Sequence, residues 1–257
     1  MKNIKSRLHN DDTLLGCWLN LGSSLVAEMI GLAGFDWVLI DLEHGAGTEK
    51  DALYQLQALE HGTAAVIIRV GSCERHLIQR ALDYGAEGVM CPQVTSVAEA
   101  QLAVNAMRYS PGGVRGISKM VRAMNFGVNF ETYFSRIKDD LVGIVQIETV
   151  EALNVIDEIA AIDGVDILFL GPSDLSMAMG IFGQFEHPRF IDALKKTAAA
   201  ARHHNKLAGI LLYDPDQFEY YHELGYRFIA SGSDASFVNN GARALIKELN
   251  AKRALLE

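Results

Sequence analysis

Three titratable side chains follow directly on an apolar run near the start of the chain. The run Trp37–Ile40 contains no polar residue, and Asp41, Glu43 and His44 come immediately after it. Such a run is typical of a parallel strand covered on both faces. One of the carboxylates could simply cap the next helix, but leaving several titratable groups unpaired beside a buried strand is costly. We therefore interpret the segment as a strand that carries catalytic groups at its end, Asp41 and His44 among them.

Residues at the ends of other apolar runs could complete an active site. Arg69 ends one run with a planar fork suited to a carboxylate or an enolate oxygen. Glu148 and Asp174 follow two further runs, and a pair of carboxylates is a common ligand set for a hard divalent cation. The structural alternatives are an ion pair for Arg69, a helix cap for Asp174 and a polar loop position for His44. None of the ten lysines ends a predicted strand, so a Schiff-base mechanism lacks its nucleophile.

These residues come together if eight short runs form one parallel sheet. We predict strands over Leu14–Leu19, Trp37–Ile40, Ala64–Arg69, Gly88–Cys91, Leu141–Ile147, Val165–Leu170, Leu207–Leu212 and Tyr226–Ala230. Helices are predicted over 24–34, 48–62, 74–84, 96–108, 130–139, 149–161, 188–205, 214–224 and 234–251. This alternation predicts a single (β/α)8 TIM barrel over 1–257, with a doubly wound sheet as the alternative. In such a barrel the C-terminal ends of the strands form the active-site face.

Composition excludes several classes of partner. The 257 residues carry a formal net charge of −9 without a cluster of Lys and Arg, so we expect no nucleic acid and no membrane as partner. Cys17, Cys73 and Cys91 are odd in number and form no C-x-x-C motif, which fits neither a disulfide framework nor a zinc site. The basic start of the chain precedes no apolar segment, and no apolar run reaches the roughly 18 residues of a membrane span. We therefore expect a cytoplasmic protein.

Two segments interrupt the regular alternation. The segment 109–130 is glycine-rich and basic, and it predicts either a lid or anion-binding loop, or a subunit contact or surface excursion. The segment Met177–Phe185 is apolar with few polar residues, which is more typical of a buried contact than of a solvent-exposed loop.

Three motifs give the chain a specific resemblance. Asp41–Gly45, Val145–Glu148 and Gly171–Ser176, in this order and spacing, resemble the HpcH/HpaI aldolase family of metal-dependent class II pyruvate aldolases over nearly the whole chain. The resemblance implies a TIM barrel that reversibly cleaves 4-hydroxy-2-oxo acids into pyruvate and an aldehyde. Substrates of this kind include 4-hydroxy-2-oxoheptanedioate and 2-keto-3-deoxy sugar acids. It further implies a divalent cation (Mg2+, Mn2+ or Co2+) and a homohexamer built as a trimer of dimers.

The resemblance also implies roles for single residues. Glu148 and Asp174 would bind the metal, His44 would be the base, and Arg69 would stabilise the enolate. Asp83 matches the family position that raises the basicity of the histidine. The expected contacts to the 2-oxo acid are Gln146, Gly171, Pro172, Ser173, Asp174 and Leu212.

Asp83 raises a geometric difficulty that bears on assembly. It ends a helix that should run away from the active-site face, so either a neighbouring subunit donates it or the correspondence fails. We therefore expect a homo-oligomer. Two other functions are weighed: a lyase or mutase acting on an acyl-CoA or phosphoenolpyruvate, supported by the basic loop Arg115–Arg122, and a non-catalytic 2-oxo acid binding protein.

Overall fold

Eight parallel strands close into a barrel, which confirms the predicted (β/α)8 TIM fold. The computed structural model describes residues 4–9 and 12–256. Each strand pairs in parallel with the next one along the chain, and β8 pairs with β1. The strands are β1 Leu14–Leu19, β2 Trp37–Asp41, β3 Ala65–Arg69, β4 Gly88–Cys91, β5 Val142–Ile147, β6 Ile167–Leu170, β7 Leu207–Leu212 and β8 Tyr226–Ser233.

Helices cover the outside of the barrel. They are α1 Ser24–Gly31, α2 Glu49–Ala58, α3 Arg75–Tyr84, α4 Val97–Met107, α5 Phe130–Asp140, α6 Val150–Asn154, α7 Ile156–Ala160, α8 Pro172–Ala178, α9 Pro188–His203, α10 Phe218–Leu224 and α11 Asp234–Arg253. Short 3-10 helices lie at Ile4–His9, Leu59–His61, Arg122–Gly127 and Pro215–Gln217. None of the described helices combines the length and the apolar composition that crossing a bilayer requires.

The helices differ from the prediction in three places. The helix predicted over 149–161 is two helices, because Val155 between them has φ −110° and ψ 24°. The helix predicted over 214–224 begins as the 3-10 turn Pro215–Gln217. The short helix α8 was not predicted, because Gly171 and Pro172 indicate a loop. Pro172 instead occupies the first helical turn, where proline is favoured since its missing N–H would have no partner there.

The barrel interior is packed with aromatic rings. Trp37 of β2 stacks on Phe228 of β8 with ring centroids 3.9 Å apart, and Trp18 and Phe169 lie against them. Gly16 of β1 makes room for this packing, since a Cβ there would lie 2.1 Å from the Trp37 ring. The strands are buried on both faces, which explains their uninterrupted apolar runs.

The N-terminal 3-10 helix closes one end of the barrel. Ile4 and Leu8 are buried in the same apolar cluster as the interior rings. Lys5 holds this helix in place, because its Nζ donates to the Leu141 carbonyl (2.7 Å) and to Asp166 Oδ2 (3.0 Å). With the N-terminal ends of the strands covered, the cavity described below opens at their C-terminal ends.

The basic segment 109–130 directs its arginines into its own chain. The Arg115 side chain is fully buried; it donates to Asp83 Oδ1 (2.8 Å) and Tyr133 Oη (3.2 Å) and lies 4.6 Å from the centroid of the Tyr109 ring. Arg122 donates to the Tyr84 carbonyl (2.8 Å) and pairs with a glutamate of the chain. Both arginines are already paired with groups of their own chain, so they give little support to an anion-binding role of this loop.

The segment Met177–Phe185 is only partly buried against the barrel. Ile181 is buried, and the Phe185 ring packs on Phe190 and Tyr213 with centroids 5.3 and 5.5 Å away. Met177 and Phe182 are 58% and 60% exposed. The expectation that the segment is buried therefore holds for only some of its residues.

The last helix, α11, presents its apolar residues to solvent. Asp234 at its start is buried, and the remaining described residues are not. Val238, Leu245, Ile246 and Leu249 are 60%, 59%, 54% and 50% exposed. Contiguous apolar surface of this kind usually marks a contact with another molecule.

Candidate active site

A cavity of about 180 Å³ opens at the C-terminal ends of the strands. The predicted residues that line it are His44, Arg69, Gln146, Gly171, Pro172, Ser173 and Asp174. They come from loops and strand ends far apart in sequence, which the barrel closure brings together. Glu148 and Asp41 lie beneath this surface, each only 2% exposed.

A buried ion pair joins the ends of β2 and β3. Asp41 and Arg69 are register partners on the two strands. Arg69 donates from Nε to Asp41 Oδ1 (2.9 Å) and from Nη2 to Oδ2 (2.7 Å). The two side chains are 9% and 0% exposed. Burial acts to lower the pKa of Arg69, but its hydrogen bond and charge pairing with Asp41 raise it further than burial lowers it. This bidentate geometry fixes the plane of the guanidinium.

Asp41 also organises the loop that follows β2. Its carboxylate accepts hydrogen bonds from Asn20 Nδ2 (2.8 Å) and from the backbone N–H groups of Glu43 (3.0 Å) and His44 (3.2 Å). With the two bonds from Arg69, both oxygens are engaged by protein donors. Its contacts are thus those of a positioning residue, and it does not face the cavity directly.

Glu43 and His44 continue this network towards solvent. Arg69 Nη1 lies 3.0 Å from Glu43 Oε2, and His44 Nε2 lies 4.0 Å from the same oxygen. Burial raises the pKa of Glu43 against the attraction of Arg69. The His44 side chain is 65% exposed. His44 is therefore accessible to a ligand and to water, as a group that accepts a proton must be.

Glu148 is a buried carboxylate without a cationic hydrogen-bond partner. Its Oε1 accepts from the backbone N–H of Gln93 (2.7 Å) and its Oε2 from Gln146 Nε2 (2.8 Å). Burial raises its pKa to about 7, against the Gln93 hydrogen bond, and the charges of Glu43 and Asp174 add to the increase. Gly171 is needed beside it, since a Cβ there would lie 2.6 Å from Glu148 Oε2.

Gln146 presents an acceptor that the protein does not satisfy. Its Nε2 donates to Glu148, while Oε1 is buried and has no hydrogen-bond partner among the residues that the structure describes. Leaving a buried acceptor unpaired is unfavourable, so such an atom is suited to a ligand or a cation.

The start of α8 forms the wall of the cavity beside Glu148 and Gln146. Asp174 lies in the first turn of α8 and is exposed, and Ser173 Oγ lies 2.7 Å from Tyr213 Oη. Carboxylate oxygens from Glu148 and Asp174 are the ligands that hard divalent cations prefer. The raised pKa of Glu148 and the unpaired oxygen of Gln146 show a local excess of acceptors and negative charge. The residues present therefore fit a divalent cation.

Two predicted site residues lie elsewhere. The Leu212 side chain packs in the cluster between strands and helices, and Leu211 lines the cavity instead. Because side chains alternate along a strand, a contact of Leu212 with the 2-oxo acid would have to come from its backbone, and this contact stays a prediction. Asp83 lies in the last turn of α3, at the opposite end of the barrel, and is paired with Arg115. Within one chain it does not reach His44.

Sequence reasoning missed several residues of the site. Asn20 and Tyr213 each follow directly on a strand, a position that could have signalled them. Trp18 lines the cavity and lies 5.8 Å from the Arg69 guanidinium. Gln93 donates its backbone N–H with φ 53°, a contact that no pattern of side chains can indicate.

Comparisons with known proteins give one consistent result. The family model described as HpcH/HpaI aldolase/citrate lyase matches residues 14–241. A hydroxypyruvate/pyruvate aldolase of Paraburkholderia phytofirmans is 35% identical, covering 96% of this chain and 97% of that protein. A 5-keto-4-deoxy-D-glucarate aldolase of Enterobacter sp. is 38% identical, covering 94% of each. A crystal structure of a HpcH/HpaI aldolase/citrate lyase family protein from Burkholderia cenocepacia superposes with a TM-score of 0.92 at 35% identity, covering 97% of this chain and 100% of that one.

Asp41→Asn is expected to lower the free energy of unfolding by about 3 kcal/mol, because it removes the buried counterion at Nε and Nη2 of Arg69 and leaves Glu43, at Nη1, as the remaining carboxylate. Urea denaturation of the metal-free protein measures this. Asp163→Asn is the matched control: Asp163 pairs with Arg108 at 2.9 Å, but its side chain is 81% exposed, so its loss costs about 0–1 kcal/mol.

Glu148→Gln should not lower the free energy of unfolding in the same urea assay. It removes a buried negative charge without a cationic partner and keeps an acceptor for Gln93, so stability should be unchanged or higher. If Asp41→Asn lowers the free energy of unfolding no more than Asp163→Asn does, the buried pair of Asp41 and Arg69 does not organise the site.

Proposed function

This chain belongs to the HpcH/HpaI aldolase/citrate lyase family, and on that premise we propose the reaction that its cavity carries out. The chain is an aldolase that cleaves 4-hydroxy-2-oxo acids, 2-keto-3-deoxy sugar acids in particular, reversibly into pyruvate and an aldehyde. The observation that carries the proposal is the convergence of a fixed guanidinium, Arg69, with the Glu148 and Asp174 carboxylates and an accessible His44 at one cavity.

The residues suited to hold the divalent cation are Glu148 and Asp174. When bound, Mg2+, Mn2+ or Co2+ supplies a Lewis acid that polarises the 2-oxo group of the substrate. The backbone N–H groups of Ser173 and Asp174, in the first turn of α8, suit the carboxylate end of a 2-oxo acid, whereas Gln146 Oε1 is an acceptor and suits a water molecule or the cation.

Arg69 stabilises the charge that develops as the bond between C3 and C4 breaks. The electron pair of that bond becomes the enolate of pyruvate, with negative charge on the 2-oxo oxygen. Arg69 directs Nε and one N–H of Nη2 to Asp41, and its Nη1 also pairs with Glu43 Oε2 (3.0 Å), which leaves the second N–H of Nη2 and one N–H of Nη1 for this oxygen. Because Asp41 already fixes the fork, little reorganisation is required during the reaction.

His44 takes the proton that the 4-hydroxyl group loses. As the C3–C4 bond breaks, this oxygen becomes the aldehyde carbonyl, and its proton passes to His44 directly or through one water. The same histidine returns the proton when C3 of pyruvate is reprotonated or when the reaction runs in the direction of addition. Its 65% exposure is consistent with exchange of this proton with solvent.

The two alternative functions receive less support. A lyase or mutase for acyl-CoA or phosphoenolpyruvate would draw on the basic loop, but Arg115 is buried against Asp83 and Arg122 is hydrogen bonded to its own chain. A non-catalytic 2-oxo acid binding protein is at odds with membership of an enzyme family.

The active protein is proposed to be a homo-oligomer, a hexamer built as a trimer of dimers. The apolar face of α11 supports association with another subunit, since its side chains Leu245, Ile246 and Leu249 are each half or more exposed. The position of Asp83 supports it as well: if Asp83 assists His44, it must do so in a neighbouring subunit.

The first test is cleavage of 5-keto-4-deoxy-D-glucarate and 4-hydroxy-2-oxoheptanedioate, with pyruvate measured by a coupled lactate dehydrogenase assay. EDTA should abolish turnover, and Mg2+, Mn2+ or Co2+ should restore it, because the cation polarises the 2-oxo group. Glu148→Gln should lose this restoration. Full turnover in chelator, or borohydride trapping of a pyruvate imine, would contradict the proposal, and a requirement for CoA would favour the alternative lyase.

Arg69→Lys should lower kcat about 10²–10³-fold, because a flexible point charge cannot replace two fixed donors. Arg80→Lys is the matched control, since Arg80 forms an exposed ion pair with Glu49 on the outside of the barrel. Near-normal turnover of Arg69→Lys, with metal affinity intact, would leave Arg69 with a purely structural role.

Assembly is tested by light scattering during size-exclusion chromatography. The double variant Leu245→Asp, Leu249→Asp should dissociate and lose activity, because it places charge on the apolar face of α11; Leu102→Asp, at an exposed position of α4, is the control.

Mixing Asp83→Ala and His44→Ala subunits should regenerate activity if Asp83 is donated. An active monomer would refute the assembly. If the subunits exchange but no activity is regenerated, the role of Asp83 is limited to its ion pair with Arg115.

A further inference from the structure

A second group of potential metal ligands lies on the outer layer of the barrel. Among the residues that the structure describes, Asp157, His203 and His204 are the one trio of His, Cys, Asp or Glu side chains whose donor atoms all lie within 4.8 Å of one another. Asp157 stands in the first turn of α7, and the histidines end α9. They lie just before β7, at the end of the barrel opposite the Arg69 cavity.

The backbone holds these ligands in place. Helices α7 and α9 pack side by side, and Lys196 of α9 donates its Nζ to the Leu153 carbonyl of α6 (2.6 Å). The break at Val155 starts a new helix at Ile156, which sets Asp157 at its exposed N-terminal turn. The break at Val155, which the sequence did not predict, thus places the Asp157 carboxylate beside the end of α9.

The distances between donor atoms match those around a single cation. Asp157 Oδ1 lies 3.4 Å from His203 Nδ1 and 3.1 Å from His204 Nε2. Two ligands bound at about 2.1 Å from a metal are about 3.4 Å apart at the tetrahedral angle and about 3.0 Å apart at a right angle. Both distances to Asp157 Oδ1 thus suit a shared cation, and the two histidine nitrogens lie within 4.8 Å of each other.

The contact of His204 is not explained by a hydrogen bond. Its Nε2 is buried and has no hydrogen-bond partner among the described residues, although Asp157 Oδ1 lies only 3.1 Å away, because the two groups are not aligned for a bond. Two ligands of one metal show this relation, since each directs its donor atom to the metal and not to the other ligand. The His203 and His204 rings lie side by side, with centroids 4.6 Å apart and an interplanar angle of 31°.

From these observations we propose that Asp157, His203 and His204 bind a divalent transition metal of the zinc, nickel and cobalt group. Two imidazoles and one carboxylate favour such metals over Mg2+, whereas the oxygen ligands Glu148 and Asp174 favour a hard cation. Asp157 and His203 are 58% and 73% exposed, so the metal exchanges with solvent and water completes its coordination. Bound there, it would link the helices on either side of β6.

Zinc binding tests the proposal in the full-length protein carrying Glu148→Gln and Asp174→Asn, which removes the cavity ligands. Isothermal titration with ZnCl2 should show one site per chain with micromolar affinity, and zinc should raise the melting temperature. His204→Ala and Asp157→Asn should each weaken binding at least tenfold and abolish this rise. Co2+ in place of zinc should give visible absorption bands that His204→Ala changes.

His76→Ala is the matched control, because His76 is an exposed histidine 3.2 Å from a single carboxylate, Glu74, without a third ligand. It should bind zinc like its parent. Circular dichroism without metal verifies that each variant is folded. No zinc binding in the parent, or equal affinity in the His204→Ala and His76→Ala variants, would overturn the proposal.

Discussion

The bidentate pair between Asp41 and Arg69 is the contact on which the cavity depends. Burying two charges is unfavourable unless each has its full set of hydrogen bonds, and Asp41 meets this condition with donors from β1, β3 and its own loop. Asn20, which donates to Asp41, is itself anchored, because its backbone N–H is bonded to Asp234 at the start of α11 (2.7 Å). One network therefore runs from the last helix to the guanidinium.

Around this pair the cavity carries an excess of negative charge. Asp41, Glu43, Glu148 and Asp174 lie around the Arg69 guanidinium. Burial is the main cause of the raised pKa of Glu148, and the charges of Glu43 and Asp174 add to it. In the proposed reaction a divalent cation would offset this negative charge, so the affinity for an anionic substrate would depend on the cation.

Much of the fold was predictable from sequence. Parallel strands buried on both faces give apolar runs that end sharply, so Arg69 and Glu148 could be placed at the C-terminal face from their positions alone. An apolar run has no alternation, so the sequence does not tell whether the side chain of Leu211 or that of Leu212 faces the cavity. The break at Val155 and the left-handed Gln93 depend on backbone geometry that side-chain patterns do not encode. Asp83 shows the further limit that one chain's sequence does not say which subunit a residue serves.

The aromatic rings that fill the barrel, with Ile4 and Leu8 packed beneath them, close the inner end of the cavity, which opens at the C-terminal ends of the strands. A molecule bound next to Gln146 and Glu148 must therefore enter before the outer part of the cavity fills and leave after that part empties. In the reaction proposed above, the aldehyde would depart first and the 2-oxo acid would follow. In the direction of synthesis the 2-oxo acid would bind first, so the order of a two-substrate reaction would follow from the packing that closes the inner end of the cavity.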